Sequence, residues 1–184
     1  MTPDPIDISD QLLGTLRAHT SHRKFVAEEL EDSLVRKAVA AAQTASTSGH
    51  IQAYSMLRIR NRDTREKLAE LTGGQGQVAA AGGFFVVCGE SRRHHLAAER
   101  AGAPLARNLE AFLVAVIDAS LFAEKLAIAF EGLGLGICYI GGLRTKLAEV
   151  DALLELPHYV YPLFGLCVGT PQELPDSDPA KPVP

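Results

Sequence analysis

Apolar and polar positions repeat with two different periods along this chain, and the switches between them outline its elements. Ile8, Leu12, Leu13 and Leu16 fall at i, i+4, i+5 and i+8 and predict a helix over residues 7–18. A second helix is predicted over 28–45. A third, over 63–71, opens on Asp63 and Glu66 at capping-box spacing. Strand-like runs follow in YSMLRIR (54–60), FFVVCGE (84–90), GICYIG (136–141) and PLFGLCVG (162–169). A long helix over 109–131 and another near 145–156 complete an alternation of strands and helices. Pro171, Pro175, Pro179, Pro182 and Pro184 then predict an extended tail. No internal repeat or linker divides the chain, so a single domain over 1–184 is expected.

Composition narrows the function. The chain has 184 residues, of which 47% are apolar, enough for one substantial core. Its net charge is −4 and its densest basic cluster is SRRHH at 91–95, so the footprint of a nucleic-acid binder is missing. A small molecule or another protein is the expected partner. Cys88, Cys138 and Cys167 sit inside apolar runs without metal-ligand spacing and read as packed thiols of a cytoplasmic protein. The opening MTPDPIDISD lacks the pattern of a secretory signal. The segment 111–130 has about membrane-spanning length, but Asp118, Glu124 and Lys125 interrupt it, which predicts a buried central helix instead. The six histidines form no metal-ligand array, and no metal site is expected.

The stretch EGLGLGICYIGGLR (131–144) holds two glycine clusters of different meaning. A dinucleotide fingerprint places its glycines after a strand and before a helix. Gly132, Gly134 and Gly136 do the reverse, which predicts a helix C-cap and a tight turn. Gly141 and Gly142 lie at the end of a strand ahead of a new helix. Paired glycines there expose bare backbone to a flat ligand, although a simple turn explains them equally well.

Three polar clusters could carry chemistry. In AHTSHRKF an extended backbone would project His19, Ser21 and Arg23 to one side, where together they suit a phosphate; a solvated loop is the alternative. QTASTSGHIQAYS (43–55) gathers hydroxyls ahead of a strand, able to bond a heteroaromatic ring or ribityl chain or merely to connect two elements. LTGGQGQV (71–78) sets Gln75 behind a glycine pair, and its amide suits the imide edge of a flavin or pyrimidine, unless it is a surface residue of a turn. Neither a Gly-x-Ser-x-Gly elbow nor a Walker lysine is present, and no carboxylate pair falls in a credible cleft motif. Any enzymatic chemistry is therefore expected to reside in a cofactor.

Taken together, H-x-S-x-R-K-F, T-S-x-x-x-Q, L-T-G-G-Q, E-x-L-G-L-G-x-x-Y-I-G-G-L-R and P-L-F-G-L-C-x-G, in this order from about residue 10 to 183, resemble the FMN-dependent nitroreductase superfamily. The resemblance is strongest to its oxygen-insensitive, NADPH-using nitroreductase and flavin reductase branch. It implies an α+β fold, with a mixed sheet sandwiched by helices, and an intertwined homodimer with an FMN at each end of the interface. It further implies that His19, Ser21 and Arg23 hold the phosphate and ribityl chain, that Thr47 and Gly49 reach the partner's cofactor, and that Gln75 meets the ring. Ile140, Gly141 and Gly142 would line the ring with backbone, and Lys181 would complete the phosphate site. The long central helix would be the dimer spine. No catalytic side chain is required, since hydride passes from NADH or NADPH to flavin N5 and on to a nitroaromatic, quinone or free flavin.

The sequence departs from the pattern at several places. Thr20 replaces an arginine, Glu124-Lys125 a Gln-Asn pair, and Val183 the arginine of a Lys-Pro-Arg motif. The two arginine replacements remove positive charge and predict weaker FMN binding. Longer branch members continue into a helical extension that contributes to dimer wrapping and NADPH binding, whereas this sequence stops at Pro184. Weak discrimination between NADH and NADPH is expected, since Arg144 and the SRRHH segment are the remaining basic candidates. A non-catalytic flavin-binding protein is the alternative reading.

Overall fold

A computed structural model describes residues 8–105 and 107–172. In chain order the elements are α1 (Ile8–Arg17), α2 (Asp32–Ala42), β1 (Tyr54–Arg58), α3 (Arg62–Leu71), α4 (Gln77–Ala80), β2 (Gly83–Glu90), α5 (Arg92–Ala101), α6 (Leu109–Gly132), β3 (Gly136–Ile140), α7 (Leu147–Leu154) and β4 (Val160–Gly169). One-turn helices occupy Ser48–His50 and Gly141–Arg144. The strands form one sheet in the order β1-β2-β4-β3, and all three ladders are antiparallel. Its parallel component is a single bridge from Ser21 to Ile137 of β3. The architecture is α+β.

Every residue of β2 is buried, as expected of a central strand covered on both faces. Its side chains alternate between two cores. Phe84, Val86 and Cys88 join Cys138, Ile140 and Cys167 beneath α3, α4 and α7. Phe85 joins Ile137, Leu166 and Val168 beneath α2 and α6. On α6, Phe122, Leu126 and Phe130 fall at helical spacing and are buried there, each worth about 1.5–3 kcal/mol relative to exposure. The opposite stripe, Leu109, Leu113, Ile117 and Leu121, is exposed. A helix that is apolar on both faces requires a second apolar partner. Leu12, Leu13 and Leu16 of α1 are exposed as well, so the stripe that predicted this helix does not pack into the core of its own chain.

Several boundaries correct the pattern reading. The second helix covers only Asp32–Ala42 of the expected 28–45, because residues before it run extended and the Leu30 amide bonds Gly82 O at 3.0 Å. The third is capped by Asn61, whose Oδ1 accepts from the Thr64 amide at 2.8 Å, rather than by an Asp63–Glu66 box. Glu66 instead pairs with Arg62 at 2.9 Å. The charged segment after β2 is itself a helix, α5, and the last helix is the shorter α7 behind the Gly141–Arg144 turn. The turn after α6 follows expectation. Gly134, at φ +79°, sits just past the helix C-cap, and Leu135 N bonds back to Phe130 O at 3.0 Å. Among the described residues no helix is long and apolar enough to cross a membrane.

Candidate active site

The extended segment after α1 runs beside β3. His22 N donates to Ile137 O at 2.8 Å, and the segment then crosses to Pro171, opposite Phe25. The His22 ring turns inward against Gly136, where a Cβ would come within 2.8 Å of it, so glycine is required for this approach. Ser21 and Arg23 face outward and are exposed. His19 is fixed separately. Its Nδ1 lies 2.7 Å from Oε1 of Glu131, in the last turn of α6, which leaves Nε2 as the free ring nitrogen. The alternation thus places His19, Ser21 and Arg23 on an accessible edge at the start of β3.

The other end of β3 carries the glycine pair. A Cβ at Gly142 would lie 2.6 Å from the Thr72 carbonyl oxygen and 2.7 Å from Gln75 Nε2, so the turn after β3 packs directly on the turn after α3. That second turn is built from Gly73 and Gly74 at φ +88° and +77°. Gln75 donates to Thr72 O at 2.8 Å and accepts from Gln77 Nε2 at 3.1 Å. Both bonds fix the amide plane and leave one N–H and one lone pair for a ligand. Ile140 is fully buried, so only its backbone is available. Arg144 donates to Leu163 O at 2.6 Å, with Nη2 3.2 Å from where a Gly141 Cβ would sit. About 13 Å of strand rise separates Ile137, beside Ser21, from Gly141.

Thr47 and Gly49 lie elsewhere, in a loop held by α5 and α6. Asp118, fully buried in α6, accepts from Ser48 N at 2.9 Å and Ala53 N at 3.0 Å. Arg93 of α5 donates to Gln52 O at 2.7 Å and Tyr54 O at 3.0 Å, while its Nε meets the buried Glu90 at 2.8 Å. His94 Nε2 donates to Ile51 O at 2.9 Å. These bonds hold Gly49, His50 and Gln52 at φ of +53°, +59° and +53°, a strained course that needs such support in the two non-glycine residues. Gln77 and Glu131 have no role in the sequence reading, where Asp118 enters only as an interruption of the apolar segment and Arg93 only within the basic SRRHH candidate. The signal for Asp118 was present, as a lone acid at the centre of an apolar helix.

Lys181 and Val183 lie outside the described residues. Glu124 accepts from the Tyr139 hydroxyl at 3.1 Å, and Lys125 donates to Thr44, so the departures in α6 are engaged in local structure. Burial, reinforced by Glu124, pushes the Tyr139 hydroxyl far up, and it stays a proton donor. Two hollows of about 560 and 630 Å³ lie away from these residues, one between α3 and the 27–29 segment, the other beside α7. In a single chain, the shelf formed by Gln75, Gly141 and Gly142 is an open surface.

Residues 16–170 match the nitroreductase family model. The chain is 42% identical over 173 residues to an FMN reductase (NADPH) of Bacillus subtilis (strain 168), covering 92% of this chain and 70% of that one. It is 41% identical over 167 residues to an oxygen-insensitive NADPH nitroreductase of Salmonella typhimurium, covering 91% and 68%. The solved structure of B. megaterium NfrA1 superposes with a TM-score of 0.88 at 43% identity, over 94% of this chain and 71% of that one. The chain belongs to the nitroreductase family.

Proposed function

We propose that the protein is an FMN-dependent oxidoreductase that takes hydride from NADH or NADPH and delivers electrons to a small acceptor: a nitroaromatic, a quinone or free flavin. The observation that carries the reading is the contact of Gln75 with Gly142 at one end of β3, with Ser21 at the other. A planar head and an anionic tail joined by an extended chain match that layout. The fit is also chemical: where any Cβ at Gly142 would strike Thr72 O, backbone presents a flat shelf, and an imidazole, a hydroxyl and a guanidinium stand where an anion would lie. Relatives named as NADPH-dependent FMN reductase and nitroreductase support the donor and cofactor.

FMN, when bound, supplies the two-electron chemistry. His19 Nε2, Ser21 and Arg23 bind the phosphate and ribityl end, and Lys181 is assigned to the same end. Gln75 orients the ring through its remaining N–H and lone pair. The backbone at Ile140, Gly141 and Gly142 closes one face and leaves the other open. None of these residues transfers a proton in an obligatory step, so no catalytic acid is assigned.

The assembly is a homodimer. The exposed stripe of Leu109, Leu113, Ile117 and Leu121 supplies the apolar face, and the pinned loop offers Thr47 and Gly49 to the neighbour's open shelf. The protein acts in the cytoplasm, in keeping with three free, buried thiols. Steady-state turnover with NADH or NADPH across a panel of nitroaromatics, quinones and free flavin tests the reading. Turnover of at least one class supports it, while bound FMN without turnover favours a flavin-binding protein.

A further inference from the structure

At the start of α6 a hollow of about 250 Å³ lies against α5 and the loop before β4. Its lining includes Ser91, His95, Arg107, Asn108, Tyr159 and Tyr161, none of which belongs to the site described above. His95 is 5% exposed and its ring makes no hydrogen bond among the described residues, yet none of their buried side-chain nitrogens or oxygens lacks a partner, so its ring nitrogens are open to the solvent of the hollow. Its ring instead stacks on Tyr159, with centroids 3.8 Å apart and planes 19° from parallel. Tyr159 holds this position at φ +70°, a conformation a tyrosine adopts only under local constraint. An imidazole whose body is packed while its nitrogens open onto a hollow offers a donor and an acceptor to a ligand there.

Positive potential converges on the same hollow. The Arg107 guanidinium stands 5.3 Å over the Tyr159 ring and pairs with no carboxylate among the described residues. Asn108 caps α6 by accepting from Ala111 N at 3.0 Å, and the amides of Leu109 and Glu110 precede the first intrahelical bond of this 24-residue helix. The acid beneath, Glu90, is already engaged by Arg93 at 2.8 Å, and Glu110 is exposed in the first turn. The remaining wall is aromatic, with Phe112 edge-on to Tyr161 at 5.6 Å.

We infer that this hollow is a second ligand site, separate from the shelf at Gly141 and Gly142, and that it takes a small aromatic carboxylate. The carboxylate would lie between Arg107, His95 and the start of α6, and the ring against the tyrosines. A bare anion would use the charges but not the aromatic wall, and a neutral ring would leave the guanidinium and imidazole unanswered.

The chain has no tryptophan and four tyrosines, two of them here, so tyrosine fluorescence reports on the site. The probe is benzoate, titrated into the FMN-loaded protein, with the flavin absorption spectrum followed in parallel. Saturable quenching is expected without a matching flavin shift. Arg107→Ala should weaken it at least tenfold, with partial recovery in Arg107→Lys, and His95→Phe should weaken it while keeping the stack. Arg107 is exposed, so its variants test the site even where His95→Phe fails to fold, as circular dichroism would show. Quenching that tracks a flavin shift, or that is unchanged in Arg107→Ala, would overturn the inference. Inorganic phosphate competing as well as benzoate would overturn the aromatic assignment.

Discussion

The carboxylate of Asp118, at the middle of α6, accepts from the amide of Ser48 at 2.9 Å, tying the loop that carries Thr47 and Gly49 to the helix whose far face is an exposed apolar stripe. The same side chain holds Ala53 N at 3.0 Å, so a single buried acid sets the course of the loop into β1. In the proposed dimer the loop is presented to the neighbour by the helix that makes the interface.

Asp118→Asn should therefore cost about 2–4 kcal/mol, because an amide can offer only one acceptor oxygen to two backbone donors and sets its own N–H against the other. Urea denaturation of the two proteins measures the difference. Loss of bound FMN should accompany it in the variant, since the loop would lose its anchor.

Ile117→Glu is expected to yield a monomer that retains little FMN. Ile117 is 54% exposed in the single chain, so folding is largely indifferent to the change, while an interface would be asked to bury an unpaired charge. Sedimentation at micromolar concentration reads the outcome, and an FMN-loaded monomer would contradict the dimer.

The glycine pair should respond unequally. At Gly142 a Cβ meets the Thr72 backbone at 2.6 Å, whereas at Gly141 it meets the movable end of Arg144 at 3.2 Å. Gly142→Ala should cost about 1–3 kcal/mol of stability and weaken FMN by at least about tenfold, with a much smaller effect for Gly141→Ala. Differential scanning fluorimetry and flavin titration provide the two readouts.

Much of the fold was legible because long periodic segments announce themselves. The apolar run of β2 and the long α6 stand close to their expected positions. What was missed depends on partners distant in sequence. Residues 28–31 look helical, but the Leu30 amide bonds across to Gly82, and α5 was hidden in a segment read only for its charge. At the site, Gln75 and the glycine pair could be picked out one by one. Their contact could not, because it joins turns that follow different elements. Asp118 was read as the interruption of a greasy helix, and its two amide partners lie 65 and 70 residues away.

Alkaline pH should expose the burial of the thiols. Desolvation pushes the Cys88 thiol from its ordinary 9.0 to about 12, so the folded chain holds a proton that the unfolded chain releases. The associated stability is fully present below pH 9 and is lost as pH rises through about 12. Wild type should lose more stability between pH 8 and 10.5 than Cys88→Ala does, by denaturant unfolding at each pH. Equal losses would place the sensitivity elsewhere.

If Arg23 holds the phosphate, Arg23→Ala should weaken FMN by about 1.5–3 kcal/mol and riboflavin by much less, since only FMN carries the anion that a guanidinium can grip. Equilibrium titration of the apoprotein with both ligands decides this, and equal losses would remove Arg23 from the phosphate site.

The central claim is that these residues hold an FMN accessible to a reduced nicotinamide, and anaerobic stopped-flow mixing of the FMN-loaded protein with NADPH, and separately with NADH, tests it most directly. The account predicts that at least one nucleotide bleaches the flavin absorbance with a rate that saturates, and that a nitroaromatic or quinone then restores it. A protein that takes up FMN but is bleached by neither nucleotide would contradict the account.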